Sequence, residues 1–196
     1  MKRFLDIFFS ALAIVFLSPL LLAISIVVLI DDGFPIVFKQ DRVGKDGKYF
    51  KVRKFRTMKK GTRNAPTAEL KEAEACITHS GRFLRRTSLD ELVQLINIFE
   101  GTMSFIGPRP LIPEEKEIDT LRKKYNVYCV RPGMTGWAQI NGRDSLTDEE
   151  KAKYDKEYVE NQSLLFDFKI LSKTFGTVLK GENIVEGSEK KEKKLL

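Results

Sequence analysis

The chain is short of the residues that most often transfer protons or hold metals. Only one of its 196 residues is histidine, His79, and it lies in a polar stretch. A Ser-His-Asp triad or a multi-histidine metal site therefore has almost nothing to work with. Cysteine is as scarce: Cys76 and Cys129 are far apart, and neither belongs to a pair with metal-ligand spacing. No disulfide framework or zinc ribbon can be built from them, and both read as reduced thiols of a cytosolic compartment. Chemistry in this chain must rest on carboxylates and arginines. Charge is missing from Ile7 to Ile30, a run of 24 residues.

As a helix that run would be about 36 Å long, enough to cross a hydrocarbon core of about 30 Å. It reads as a retained membrane segment: a secretory signal would have a shorter apolar region and a small-residue cleavage site, whereas this run ends in Ile30-Asp31-Asp32. Ser18-Pro19 sits at its midpoint, and Pro19 lacks an N–H and crowds the carbonyl of Val15. Two arms of about 17 Å, each roughly one leaflet deep, predict a helix-break-helix hairpin that returns to the same face. The flanks agree, with Lys2 and Arg3 before the run and Lys39, Arg42, Lys45, Lys48, Lys51, Arg53, Lys54 and Arg56 after it. A kinked span with a short translocated N-terminus fits these charges equally well.

What is abundant is positive charge. A net charge of +7 and a pI near 9.3 suit anionic lipid, a nucleotide diphosphate or nucleic acid alike. Beyond the apolar run, Ile36-Val37-Phe38 and Lys48-Tyr49-Phe50-Lys51-Val52 predict strands of a hairpin turning through Gly44-Lys45-Asp46-Gly47. Lys59 to Ser80 reads mostly as loop, with one helical turn around Glu69 to Ala75.

Thr87-Ser88-Leu89-Asp90-Glu91-Leu92 then opens a helix with Leu92, Leu95, Ile96 and Phe99 at helical spacing and Gly101 at its end. With Ser88 as N-cap, Asp90 and Glu91 fall in the first turn, where free N–H groups and the macrodipole favour a carboxylate or a bound phosphate. Ser88 and Glu91 also match a capping box, which needs no function. The surroundings favour chemistry: Arg82, Arg85 and Arg86 lie just upstream, and Gly107-Pro108-Arg109-Pro110 downstream holds Arg109 extended between two prolines, well suited to bidentate phosphate binding. Pro113 opens a helix whose Glu114, Glu115 and Glu117 precede Arg122, Lys123 and Lys124, a dipole-complementing order that reads as scaffold.

The glycine-punctuated loop from Arg131 to Arg143 carries two arginines and the only tryptophan, and long ordered loops tend to bind ligands. Thr147 and Glu150 form a capping box for a helix bearing Tyr154, Asp155 and Tyr158. A last helix from Ser163 to Lys180 is apolar along Leu164, Leu165, Phe168, Leu171, Phe175 and Val178, with a basic flank suited to lipid headgroups.

Taken together, Lys2-Arg3, the Ser18-Pro19 break, Lys54-Phe55-Arg56-Thr57-Met58, Ser88-Leu89-Asp90-Glu91-Leu92, Met103-Ser104-Phe105-Ile106-Gly107-Pro108-Arg109-Pro110 and Arg131-Pro132-Gly133 through Arg143 resemble the bacterial sugar transferases, also called monotopic phosphoglycosyl transferases. The resemblance covers nearly the whole chain. Two departures, Val93 where the family often has proline and Thr102 where it often has aspartate, leave the Asp-Glu dyad untouched.

The resemblance implies an α+β fold: a re-entrant membrane helix over 1–32, then a small, mostly helical catalytic domain over 33–181 with a short β-hairpin and interfacial amphipathic helices. A disordered basic tail over 182–196 completes the expectation. The implied reaction moves a phospho-sugar from a UDP-sugar to polyprenol (undecaprenyl) phosphate and releases UMP, at the cytoplasmic face of a bacterial inner membrane. Asp90 would be the nucleophile and Glu91 its partner, the two holding Mg²⁺. Arg85, Arg109 and Arg143 would contact phosphate or lipid headgroup, with Asp155 and Asp167 as acids near the site. The implied partners are the donor, the acceptor and membrane phospholipid, with no nucleic acid. The rival reading is a non-catalytic, membrane-tethered basic module that binds anionic lipid or nucleic acid.

Overall fold

A computed structural model describes residues 1–62, 73–142 and 145–180. Helix α1 (Lys2–Asp32) leads into a hairpin of β1 (Val37–Val43) and β2 (Tyr49–Phe55), then α2 (His79–Arg86), a 3-10 segment Leu89–Val93 and α3 (Gln94–Glu100). Strand β3 (Ser104–Ile106), α4 (Lys116–Lys124), β4 (Gly133–Thr135), α5 (Trp137–Ile140), α6 (Asp148–Glu160) and α7 (Leu164–Lys180) complete the fold. It is a mixed, mostly helical architecture with a small hairpin.

Helix α1 differs from the expected helix-break-helix, because it runs through Pro19 as one helix of 31 residues. The Val15 carbonyl that Pro19 cannot serve accepts a hydrogen bond from Ser18 Oγ at 2.8 Å, so the local sequence offsets the missing N–H. Asp6, Ser10, Ala13, Leu17, Leu21, Ile24 and Val28, spaced three or four residues apart, form with Ile14 one stripe packed on the domain. The opposite face, including Phe8, Val15, Phe16, Ile26 and Ile30, is exposed.

Both ends of α1 are tied down. Arg3 donates to the carbonyls of Ile98 and Phe99 at 2.6 and 2.8 Å, capping the negative end of α3. Asp6 accepts from Ser104 Oγ and the Phe105 N–H. At the other end, Arg56 donates to the carbonyls of Asp32 and Gly33, and Asp31 accepts from the Ser80 N–H.

The hairpin pairs Val37 with Phe55 through to Val43 with Tyr49, making both strands longer than expected. Charged residues on the outer face conceal the alternation; Asp41 and Lys51, for instance, pair across the strands at 3.0 Å. Helix α2 was not expected. Its Gly81 answers a close approach, since a Cβ there would lie 2.3 Å from the Thr57 carbonyl. Of the turn expected around Glu69 to Ala75, residues 69–72 lie outside the described residues; a 3-10 turn covers Ala73–Cys76. The tail over 182–196 also lies outside them.

Strands β3 and β4 form a short parallel pair, again unforeseen. It gives the glycines of the Arg131 to Arg143 stretch a packing role, because a Cβ on Gly133 would stand 2.1 Å from the Gly107 nitrogen. Helix α7 buries Asp167 and Ile170 while exposing Leu165 and Phe168.

Candidate active site

Asp90 and Glu91 lie in the 3-10 segment between α2 and α3. The capping box does not form: Ser88 is left-handed at φ 56° and its side chain makes no cap bond. Glu91 is instead bonded to Lys54 Nζ of β2 at 2.6 Å and lies 3.8 Å from the Arg109 guanidinium. Asp90 is 7% exposed. Burial pushes its carboxyl above the usual range, Lys54 draws it back, Glu91 pushes it further up and Arg85 draws it down. A backbone hydrogen bond at Asp90 itself helps the two cations draw it down, but burial prevails and the net direction is upward; the turn that carries the dyad is a 3-10 segment of five residues rather than the expected α-helix.

Arg85 reaches from α2, its Nε donating to Thr57 Oγ1 at 2.9 Å. Arg109 stands between its prolines as expected, and the segment is braced from behind. Its own carbonyl accepts from Arg122 at 2.7 Å, and the carbonyl of Pro110 accepts from Arg42 at 3.0 Å. Backbone donors complete the bracing, the Gly133 N–H donating to the Pro108 carbonyl and the Val43 N–H to the Leu111 carbonyl, both at 2.9 Å.

Two adjoining hollows share Arg42, Arg109 and Pro110. One lies against Glu91 and Lys54. The other is a larger hollow open to solvent, walled by β1, α4, α5 and α6. Arg42, half-buried beside Arg109, is pushed down to about 10 by its burial and by that neighbouring charge.

Asp155 and Asp167 are not among the residues lining either hollow. Asp155 is 1% exposed and ion-paired with Arg122 at 2.6 Å, so it acts on the site through Arg122, which lines the larger hollow and holds the Arg109 carbonyl. Asp167 accepts from Lys2 Nζ and from the Tyr158 hydroxyl, fastening α1 to α6 and α7. Arg143 lies outside the described residues. Arg42 and Arg122 were missed by sequence reasoning. Arg122 in particular fits a helix-dipole pattern, yet it is 3% exposed.

Among the described residues no group of three or more His, Cys, Asp or Glu gathers to hold a metal ion. Adjacent Asp90 and Glu91 nevertheless supply the one or two carboxylates that Mg²⁺ usually takes from protein when phosphate oxygens complete its shell.

The family described as bacterial sugar transferase matches residues 1–181. A UDP-glucose:undecaprenyl-phosphate glucose-1-phosphate transferase of Escherichia coli is 40% identical over 92% of this chain, which spans 40% of that relative's length. An uncharacterized sugar transferase, EpsL, of Bacillus subtilis is 39% identical over 94% of the chain and 90% of its own. A UDP-N-acetylgalactosamine-undecaprenyl-phosphate N-acetylgalactosaminephosphotransferase of Aeromonas hydrophila is 34% identical over 92% of the chain and 44% of its own. With the dyad, the braced arginine segment and these matches together, the chain belongs to the bacterial sugar transferase family.

Proposed function

We propose that this protein is a phosphoglycosyl transferase that moves a phospho-sugar from a UDP-sugar to undecaprenyl phosphate, the first membrane step in building a surface glycan. The observation that carries this reading is the buried Asp90 carboxylate with Lys54, Arg85 and Glu91 acting on it, beside a cationic cleft.

In the first half-reaction a carboxylate oxygen of Asp90 attacks the phosphorus that bears the sugar. The P–O bond to UMP breaks, and its electron pair leaves with UMP. In the second, a phosphate oxygen of the lipid attacks that phosphorus and returns the Asp90 carboxylate, giving the polyprenyl diphosphosugar. Neither half requires a proton to move, which suits a site without histidine. Lys54 and Arg85 favour the ionised carboxylate, and the phosphate groups meet Arg109. Mg²⁺, when bound by Asp90 and Glu91, would neutralise charge on the diphosphate.

The packing of α1 supports a one-sided membrane attachment. Its two ends, through Arg3 and Asp31, bond to the same domain, and a continuous stripe between them is packed on it. A helix crossing the bilayer would draw that stripe's partners into hydrocarbon. On this reading the exposed faces of α1 and α7 sit in one leaflet, and the domain over 33–181 lies at the cytoplasmic face of the inner membrane, where a UDP-sugar donor is available. The rival reading, a basic module without chemistry, is not favoured, because cations are directed at a buried carboxylate instead of forming only an open surface.

The test uses purified full-length protein in detergent with undecaprenyl phosphate, Mg²⁺ and a panel of UDP-hexoses and UDP-N-acetylhexosamines. UMP release with one donor, abolished in Asp90→Ala, is expected. No release with any donor from folded protein contradicts the reading.

A further inference from the structure

The larger hollow carries chemistry that the dyad does not use. Arg42 and Arg109 stand in its wall with Lys151 and Arg122, a concentration of positive charge around one open space. Arg42 Nε is buried without a hydrogen-bond partner. Glu115 joins the same wall from the opposite sign, one of its oxygens accepting from the Ile112 N–H at 2.7 Å. Leu111 and Ala138 supply an apolar floor.

Cations for a phosphate, a lone carboxylate and an apolar floor are together the recognition set of a nucleotide. Guanidinium groups suit phosphate, carboxylates accept from ribose hydroxyls, and a flat base lies on apolar side chains. A lipid phosphate would need no carboxylate. The position also separates the two substrates: α1 packs chiefly on α2, α3 and β3, whereas this hollow is walled by β1, α4, α5 and α6.

We propose that the hollow formed by Arg42, Arg109, Glu115 and Lys151 over Leu111 and Ala138 binds the nucleoside monophosphate half of the donor. The phosphate meets Arg42 and Arg109, the ribose diol donates to Glu115, and the base covers the floor. This half is the leaving group, so the hollow also retains the product. The inference rests on the transfer reaction proposed above, but its test does not depend on turnover.

Binding of UMP and of 2′,3′-dideoxy-UMP to full-length protein in detergent is measured by calorimetry. Wild type is expected to bind UMP more tightly than the dideoxy analogue. Arg42→Gln should weaken UMP binding tenfold or more, and Glu115→Gln should abolish the preference for the diol. Lys151→Ala, in the wall of the hollow and paired with Asp148 at 3.3 Å, removes one of its cations with little risk to folding; it should weaken UMP binding severalfold at unchanged Tm. Unchanged UMP affinity in folded Arg42→Gln and Lys151→Ala overturns the proposal, as does a wild type that does not bind UMP. If no donor releases UMP yet these variants weaken UMP binding, the transfer reading fails and the nucleotide hollow stands.

Discussion

Arg122 and Asp155 form an ion pair at 2.6 Å with side chains 4% and 1% exposed, and the same guanidinium holds the Arg109 carbonyl at 2.7 Å. A buried charge stripped of its partner is expensive, so Asp155→Ala should destabilise the protein by about 3–5 kcal/mol. The double variant Asp155→Leu with Arg122→Met should regain most of that stability while transfer stays slow, because Arg109 has lost its support. Denaturant melts and initial rates on the same preparations check both halves.

Lys54 both bonds Glu91 at 2.6 Å and opposes the effect of burial on Asp90. Lys54→Met should therefore lower the rate of UMP release about a hundredfold or more, the scale for losing one charge-stabilising group in a reaction site. Lys54→Arg should recover part of it. A rate equal to wild type in Lys54→Met would remove Lys54 from the chemistry.

The attachment of both ends of α1 to one domain predicts one-sided labelling. With Cys76 and Cys129 replaced by serine, a single cysteine inserted between Met1 and Lys2 or introduced as Asp46→Cys should react with an impermeant maleimide in inside-out vesicles and stay protected in spheroplasts. Labelling of the two positions from opposite sides would mean that α1 crosses the membrane.

The α6 cap supplies a pH dependence. Thr147 donates to Glu150 from its backbone N–H at 2.7 Å and from its hydroxyl at 2.8 Å, and these bonds hold the Glu150 carboxyl below its ordinary value of 4.5. The depressed folded value means the stabilisation is complete above the unfolded pKa and is lost as pH falls through the folded one. The Tm difference between wild type and Glu150→Gln should accordingly be largest near pH 7 and vanish in strongly acidic buffer. A difference that persists there would contradict the cap's role.

Much of this arrangement was legible because local rules and tertiary demands coincide. The Thr147 to Glu150 box forms, and Gly101 ends α3 in the left-handed conformation at φ 92°. The dyad was legible from its setting among arginines, although the Ser88 cap beside it was not, since the turn there is 3-10.

Long-range partners left no local trace. Asp155 and Arg122 lie on different helices, 33 positions apart, and each fits a surface pattern until the two helices pack. The β3 to β4 pairing spans three residues a side and is marked only by glycines whose purpose is backbone contact. Arg42 follows Asp41 in a strand whose charges conceal its alternation, so nothing nearby marks it as a wall of the cleft.

The central claim is that Asp90 carries the phospho-sugar, and intact-protein mass spectrometry tests it most directly. Protein incubated with its UDP-sugar and Mg²⁺ in the absence of lipid acceptor, then quenched in acid, should gain the mass of one sugar phosphate, on the peptide containing Asp90. The gain should be absent in Asp90→Asn and should disappear from wild type when undecaprenyl phosphate is added before quenching. Full turnover with both substrates, but no adduct under rapid quenching, would contradict the account and leave direct attack of the lipid phosphate on the donor.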